Sequence, residues 1–177
     1  AWQLIAPSGL VANSCLFVMG SEGRGEQLLK TDQDNGLVLR DDFVIGEADV
    51  AAACEQFSAA LTQFGYPECP GRIMVSNPAW RQNASDFAAT VRRWLLRPDP
   101  ESLMALAIFL DAHAVAGDAS LLAATRAEVD RLVAADDALL GRFASAIDSF
   151  PESGATAWWN RLIGEQDRET LDLKKAG

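Results

Sequence analysis

The sequence is poor in the residues that build disulfide frameworks and zinc sites. Its 177 residues include three widely spaced cysteines and a single histidine. No CxxC pair occurs, so a disulfide scaffold and a structural zinc site are both disfavoured, and the composition fits a reducing cytoplasm. Long apolar runs are missing as well. The best candidate, Leu103–Leu110, is far shorter than the ~20 residues that a membrane-spanning helix needs, and no secretory signal is recognisable at the start.

Positive charge is also scarce. Lysine and arginine number 15 against 25 aspartates and glutamates, which gives a formal net charge of −10 and a pI of about 4.5. A diffuse negative field repels nucleic acids and anionic lipids. We therefore expect a cytoplasmic protein without a polynucleotide or membrane partner, although a local basic pocket remains compatible with a small phosphate compound.

Apolar residues are abundant enough for a folded core, at 49% of the chain, with 23% charged residues. Their spacing predicts two buried strands followed mainly by helices. The predicted strands are Ser14–Met19 and Asp34–Leu39, and the predicted helices are Glu47–Phe64, Ser85–Leu96, Asp118–Ala134, Asp136–Ile147 and a last one around Trp158–Ile163.

Several element boundaries carry their own signals. Gly65 stands where a helix C-terminus favours a left-handed residue, and Asp99 before Pro100 predicts a helix start. The loop after Gly65 is expected to contain a short extended piece, Arg72–Val75. The run Leu106–Asp111 fits either a continued helix or a third strand, because short apolar runs are ambiguous.

The segment after the first strand carries the chemistry. Two aspartates, Asp32 and Asp34, stand two positions apart as the second strand begins. Residues so spaced in a strand project from the same face about 6.6 Å apart, which leaves Gln33 on the opposite face. Paired carboxylates of this kind are suited to one or two Mg²⁺ ions, which assist phosphoryl or nucleotidyl transfer. For a DxD pair alone, however, a polar turn is the commoner interpretation.

A Gly–Ser pair at the end of the first strand makes the metal interpretation stronger. Ser21 and neighbouring backbone N–H groups can receive a polyphosphate, with Arg24 and Lys30 as candidate charge partners. Other phosphate and metal motifs fail on spacing: neither GxxxxGK[ST] nor GxGxxG occurs. A calcium loop beginning at Asp32 would need glycine and glutamate where Leu37 and Phe43 stand.

The segment MGSEGRGEQLLKTDQDN resembles the signature of the polymerase-beta-like nucleotidyltransferase superfamily. It is most similar to the PII-uridylyltransferase-like branch, bacterial enzymes often attached to cyclic-nucleotide-binding and CBS modules. The resemblance continues through Gly65–Arg81, Trp94–Asp118 and Asp172–Gly177, and so touches most of the chain. It implies an α+β fold, a small mixed sheet flanked by helices and followed by a helical part.

The resemblance also implies roles for individual residues. Gly20 and Ser21 would bind the triphosphate, and Asp32 and Asp34 would bind Mg²⁺, for which Mn²⁺ can substitute. Asp111 matches the third carboxylate, a metal ligand or catalytic base, which in this family comes from a neighbouring strand. That match favours the strand interpretation of the run that ends at Asp111.

Three further residues are pocket candidates: Asn77, Trp80 and His113. Trp80 suits either stacking on a base or packing beneath a loop. His113 stands where the family tends to have an arginine, which binds phosphate better than a neutral imidazole, and a structural role is the simpler interpretation for it.

These observations predict a nucleotidyltransferase domain at 1–117 and a helical substrate-binding region at 118–177, which we expect to continue beyond Gly177. The enzyme would transfer a nucleoside monophosphate from a triphosphate such as ATP to a hydroxyl acceptor, on a regulatory protein or a small compound. Regulatory domains elsewhere in the full-length chain are implied by the resemblance. The alternatives are a non-catalytic nucleotide sensor of a bacterial signalling protein and an interaction scaffold.

Overall fold

A four-stranded mixed sheet organises the part of the chain that the computed structural model describes, which is residues 1–20, 32–97, 99–136, 138, 139, 141 and 145. The strands are β1 (Ser14–Val18), β2 (Asn35–Leu39), β3 (Arg81–Asn83) and β4 (His113–Gly117). Their order is β3-β2-β1-β4. β1 pairs antiparallel with β2 and β4, and β2 pairs parallel with β3.

Helices pack on both faces of this sheet, which confirms the predicted α+β class. They are α1 (Trp2–Ile5), α2 (Ser8–Ala12), α3 (Glu47–Gln63), α4 (Ala84–Leu96), α5 (Pro100–Leu110) and α6 (Ala119–Ala135), with a 3₁₀ turn at Pro78–Trp80. Within the described ranges, no helix is both long and apolar enough to cross a bilayer. The division of the chain into two domains at residue 117 stays a prediction.

Alternation along β1 explains how one strand serves two cores. Phe17 and Met19 belong to the core formed with α4, α5 and α6, whereas Leu16 belongs to the core formed with α1, α2 and α3. Successive side chains of a strand point to opposite faces, so a strand covered on both faces is apolar along most of its length. The Phe17 ring contacts Phe87 and Phe109 at centroid distances of 5.8 and 6.2 Å.

The predicted elements agree with these helices and strands at most positions. Ser14–Met19, Asp34–Leu39, Glu47–Phe64, Ser85–Leu96 and Asp118–Ala134 each differ from an observed element by one residue at one or both ends. Gly65 has φ +87°, as its place after α3 requires. The predicted helices Asp136–Ile147 and Trp158–Ile163 lie largely or wholly outside the described residues.

The strand interpretation of Leu106–Asp111 is wrong. The run is the second half of α5, which ends at Leu110, and β4 begins only at His113. Asp99 starts this helix by accepting a hydrogen bond from the Ser102 N–H at 2.9 Å, which holds the pKa of Asp99 below its usual value. The cap fixes the helical register, and apolar side chains then enter the core at helical spacing.

The predicted extended piece Arg72–Val75 is also not a strand; the strand beside β2 is Arg81–Asn83. The chain still follows β2 there, because the Asn35 N–H donates to the Ile73 carbonyl at 3.0 Å. The next contact comes from a side chain, since the Val75 N–H donates to Asn35 Oδ1 at 2.9 Å. A side-chain acceptor thus interrupts the backbone ladder, which apolar patterning does not reveal.

Candidate active site at one edge of the sheet

The topology brings the predicted site residues to one edge of the sheet. The C-terminal end of β1 lies beside the starts of β2 and β4, because Val18 pairs with Asn35 in one neighbour and with His113 in the other. Gly20 follows β1, Asp34 immediately precedes β2, and Asp111 stands two residues before β4. Segments far apart in sequence therefore meet at this edge, which we call the site edge.

Gly20 and Asp34 are in close contact there. The Met19 N–H donates to the Asp34 carbonyl at 2.9 Å, which continues the pairing of β1 and β2 by one residue. Gly20 has φ +61°, and a Cβ at this position would lie 3.1 Å from Asp34 Oδ2. Both this backbone conformation and the close approach of the carboxylate favour glycine at this position.

Gln33 separates the two aspartates and anchors them. Its side chain is 1% exposed, and Nε2 lies 3.0 Å from the Ser58 carbonyl, Thr62 Oγ1 and the Tyr66 carbonyl. Asp32 and Asp34 are both half-buried. The alternation of burial agrees with Gln33 facing α3 and with the carboxylates facing the other way. The sequence predicted that orientation but did not predict that Gln33 binds the helix.

A loop formed by residues 67–77 borders the aspartates. The Gln33 N–H donates to the Pro67 carbonyl at 2.9 Å, and Gln33 forms an isolated parallel bridge with Glu68. Cys69 follows and is buried. Burial, together with the nearby charge of the Asp34 carboxylate, raises the pKa of the Cys69 thiol to about 12. The thiol thus stays neutral beside Asp34.

Asp111 approaches the same edge from a turn and not from a strand. It is the C-cap residue of α5 and is half-buried. Arg126 of α6 holds the peptide groups on either side of it: Nη1 donates to the Ala112 carbonyl at 2.7 Å and Nη2 to the Leu110 carbonyl at 3.1 Å. The sequence pattern did not point to Arg126, because contacts between residues 14 and 16 positions apart leave no periodic signal.

The remaining pocket candidates have different surroundings. Asn77 structures the loop, since its Oδ1 accepts from the Ala79 N–H at 3.1 Å and its Nδ2 donates to the Arg72 carbonyl at 2.9 Å. Trp80 is buried and packs against Trp94 with ring centroids 5.4 Å apart, in accord with packing beneath a loop. His113 is exposed at the start of β4, on the site edge.

Three predicted phosphate contacts, Ser21, Arg24 and Lys30, lie outside the described residues. The polyphosphate-binding role of these side chains stays a prediction. Gly20, the fourth predicted phosphate contact, lies within the described residues and adjoins Asp34.

The donor set at the site edge suits a hard cation that also binds a phosphate ligand. In the described ranges, no three histidine, cysteine, aspartate or glutamate side chains are grouped closely enough to hold one ion. Asp32 and Asp34 nevertheless offer carboxylate oxygens from one chain segment. Mg²⁺ commonly binds through one or two carboxylates, with water and substrate phosphates completing its shell, so the residues present fit a shared site and not an all-protein cage.

Comparison with known proteins identified one family. The model of the family described as "Putative nucleotidyltransferase DUF294" matches residues 1–101, which is more than half of the chain. The matched part includes Gly20, Asp32 and Asp34 and ends before Asp111. No curated protein and no solved structure matched the chain.

Proposed function

Since the chain belongs to this nucleotidyltransferase family, we propose that it transfers a nucleoside monophosphate from a nucleoside triphosphate to a hydroxyl acceptor. The observation that carries the proposal is the meeting of Gly20, Asp34 and Asp111 at one sheet edge. These residues come from three separate segments, and a merely polar turn would not account for bringing them together.

Asp32 and Asp34 are the proposed metal ligands. Both are half-buried, and Gln33 between them is anchored to α3, so the two carboxylates are held on one short segment that faces away from that helix. When bound, Mg²⁺ or Mn²⁺ would counter the charge of the polyphosphate and activate the transferred phosphorus. The backbone at Gly20 would adjoin the phosphates, followed by Ser21, Arg24 and Lys30 as predicted contacts.

Asp111 is the proposed proton acceptor. In the reaction the acceptor hydroxyl oxygen forms a bond to the α-phosphorus, the bond from that phosphorus to the bridging oxygen breaks, and pyrophosphate leaves. The hydroxyl proton passes to the Asp111 carboxylate. A base must be held within hydrogen-bonding reach of the hydroxyl, and the two Arg126 hydrogen bonds that flank Asp111 supply such a restraint.

The acceptor is proposed to be a hydroxyl group of a protein side chain or of a small compound. The formal net charge of −10 disfavours a polynucleotide acceptor. Attached regulatory modules, as implied by the sequence resemblance, would connect the reaction to a signal. A nucleotide sensor without turnover is the alternative function, and pyrophosphate release distinguishes the two.

The direct test is calorimetric titration of the four ribonucleoside triphosphates, with and without Mg²⁺. We expect Mg²⁺-dependent binding of at least one of them by the wild type and roughly 100-fold weaker binding by the Asp32→Asn/Asp34→Asn variant, about 3 kcal/mol. The matched control is Asp42→Asn/Asp130→Asn, because it removes the same charge from two exposed positions away from the strand starts.

A pyrophosphate-release assay then separates enzyme from sensor. We expect release that requires Mg²⁺ and is lost in Asp111→Asn, while that variant keeps its triphosphate affinity. Binding that persists unchanged in Asp32→Asn/Asp34→Asn would contradict the proposed site. Binding without any release, in the intact protein supplied with acceptor hydroxyl compounds, would favour the sensor.

A further inference from the structure

Arg72 has an unusual backbone conformation beside the site edge. Its φ is +54°, and it is the one non-glycine residue with positive φ in the part of the chain that the structure describes. Side chains other than those of asparagine and aspartate rarely occupy this left-handed region. Such strain persists only where the surroundings enforce it, and it concentrates at functional sites.

Hydrogen bonds on both sides enforce the conformation. The Arg72 N–H donates to the Cys69 carbonyl at 2.8 Å, and Asn77 Nδ2 donates to the Arg72 carbonyl at 2.9 Å. The neighbouring Ile73 carbonyl accepts from the Asn35 N–H at 3.0 Å. Arg72 is therefore held from within the loop and, through Ile73, by the start of β2.

These contacts locate Arg72 next to the aspartates. Ile73 binds the residue that follows Asp34, and the Cys69 thiol adjoins the Asp34 carboxylate. Arg72 immediately precedes Ile73, whose carbonyl accepts the hydrogen bond from Asn35. The Cα atoms of Arg72 and Ile73 are therefore only ~3.8 Å apart. A long cationic side chain thus begins beside the proposed metal ligands.

The Arg72 side chain is exposed and forms no ion pair or hydrogen bond within the described residues. Three other arginines are bound to carboxylates at 2.6–2.7 Å: Arg40 to Asp118, Arg81 to Glu47, and Arg131 to Glu128. A guanidinium group binds phosphate oxygens in a bidentate manner, and it is always protonated.

We propose that Arg72 binds the polyphosphate of the nucleotide at the site edge, a role that rests on the proposed function. The left-handed residue starts a cationic side chain beside Asp34, one of the proposed metal ligands. The ligand group is the β- and γ-phosphates, which leave together as pyrophosphate. Arg72 is thereby a substrate-contacting residue in addition to the predicted Arg24 and Lys30.

The test measures binding of Mg²⁺–tripolyphosphate and Mg²⁺–ATP by the intact protein, in wild type, Arg72→Asn, Arg72→Gly and Arg72→Lys. Asparagine and glycine remove the charge but accept the positive φ. We expect these two variants to bind both probes roughly ten-fold more weakly, because one charge-assisted contact is lost. Arg72→Lys should keep part of the wild-type affinity. The urea midpoints of Arg72→Asn and Arg72→Gly should equal or exceed that of the wild type.

The control is Arg97→Asn, which removes the same charge from another exposed arginine outside the site edge. Equal affinity of wild type, Arg72→Asn and Arg72→Gly would overturn the inference and leave the proposed function intact. Equal weakening by Arg97→Asn would overturn it too, since the effect would be one of overall charge. A wild type that binds neither tripolyphosphate nor any of the four ribonucleoside triphosphates, with or without Mg²⁺, would overturn the proposed function and this inference together.

Discussion

Gly20 occupies the point at which the first strand ends and the carboxylate of Asp34 approaches. Two independent constraints meet at this residue, the positive φ and the 3.1 Å that would separate a Cβ from Asp34 Oδ2. Either constraint alone could be relieved by a small backbone shift. Together they allow a substituent only if the aspartate moves.

Gly20→Ala should therefore reduce activity more than stability. We expect kcat/KM for the triphosphate to fall roughly 10²-fold, because a displacement of about 1 Å at a reacting site has an effect of this size. We expect the free energy of unfolding to fall by about 1–2 kcal/mol, because alanine is strained in the left-handed region. Steady-state kinetics and urea unfolding measure the two quantities.

Gly9→Ala is the matched control, because Gly9 lies in α2 and an added Cβ would only reach Phe43 at 3.9 Å. It should leave kcat/KM unchanged and raise stability slightly, as alanine usually does within a helix. Full activity of Gly20→Ala would show that Asp34 is not held by this contact.

At the scale of elements, the end of α5 is the clearest link between packing and chemistry. The last carbonyls of a helix lack partners within the helix. Here Arg126 of α6 binds the carbonyls of Leu110 and Ala112, on either side of Asp111. One side chain thereby completes the helix terminus and restrains the proposed base.

We expect Arg126→Ala to lower kcat roughly ten-fold, a fraction of the 10²–10⁴ that a positioned general base contributes, with little change in KM for the triphosphate. Arg126→Lys should recover part of the loss, since an ammonium group can reach one carbonyl but not both. The readout is kcat and KM measured separately over a range of pH.

Arg131→Ala is the corresponding control on α6, because it removes a surface pair with Glu128 and no contact to the Asp111 turn. Its kcat should equal that of the wild type. If Arg126→Ala lost stability but kept kcat, Arg126 would be a helix cap alone.

Elements with strong periodicity were predictable from the sequence, and those set by single side-chain contacts were not. Asn–Gly pairs are typical of turns, yet Asn35 and Gly36 both belong to β2. The Phe17 ring covers Gly36 so closely that a Cβ there would lie 2.3 Å from Phe Cζ, and Asn35 binds the loop through its side chain. Glycine is thus a packing requirement in this strand and not a break.

The candidate site residues came from the sequence by two routes, and their roles stay predictions. Spacing alone indicated the aspartate pair, because two positions in a strand share a face, and the opposite orientation of Gln33 agrees with it. Asp111 was proposed as the third carboxylate through a resemblance and was expected on a strand, whereas it caps a helix. The roles proposed for Arg72 and Arg126 had no signal in the sequence, since a backbone angle and a contact between distant helices are properties of the folded chain.

At the scale of the whole molecule, the three cysteines are all buried and free. Burial raises the pKa of Cys15 and Cys54 to about 11 and that of Cys69 to about 12. The reactive species is the thiolate. In the folded protein the cysteines are therefore protected from thiol reagents in two ways, because little thiolate is present and the sulfur atoms are buried.

We expect no reaction of the native protein with a thiol reagent at pH 8 over the time in which the urea-unfolded protein reacts completely. The thiolate fraction of each cysteine at that pH would be roughly one part in a thousand or less. Quantified labelling by mass spectrometry checks this expectation. Rapid native labelling of Cys69 would show that the loop beside Asp34 opens to solvent.

The pairing of β1 with both of its neighbours also has a consequence for folding. β1 meets β2 across a short sequence separation, with Val18 opposite Asn35, but it meets β4 only across about a hundred residues, with Cys15 opposite Gly117. Pairings between distant segments form slowly, because a long loop must close first. We therefore expect the strand that follows Asp111 to be among the last to dock, so that a newly made chain brings Gly20 and Asp34 together well before the proposed base joins them.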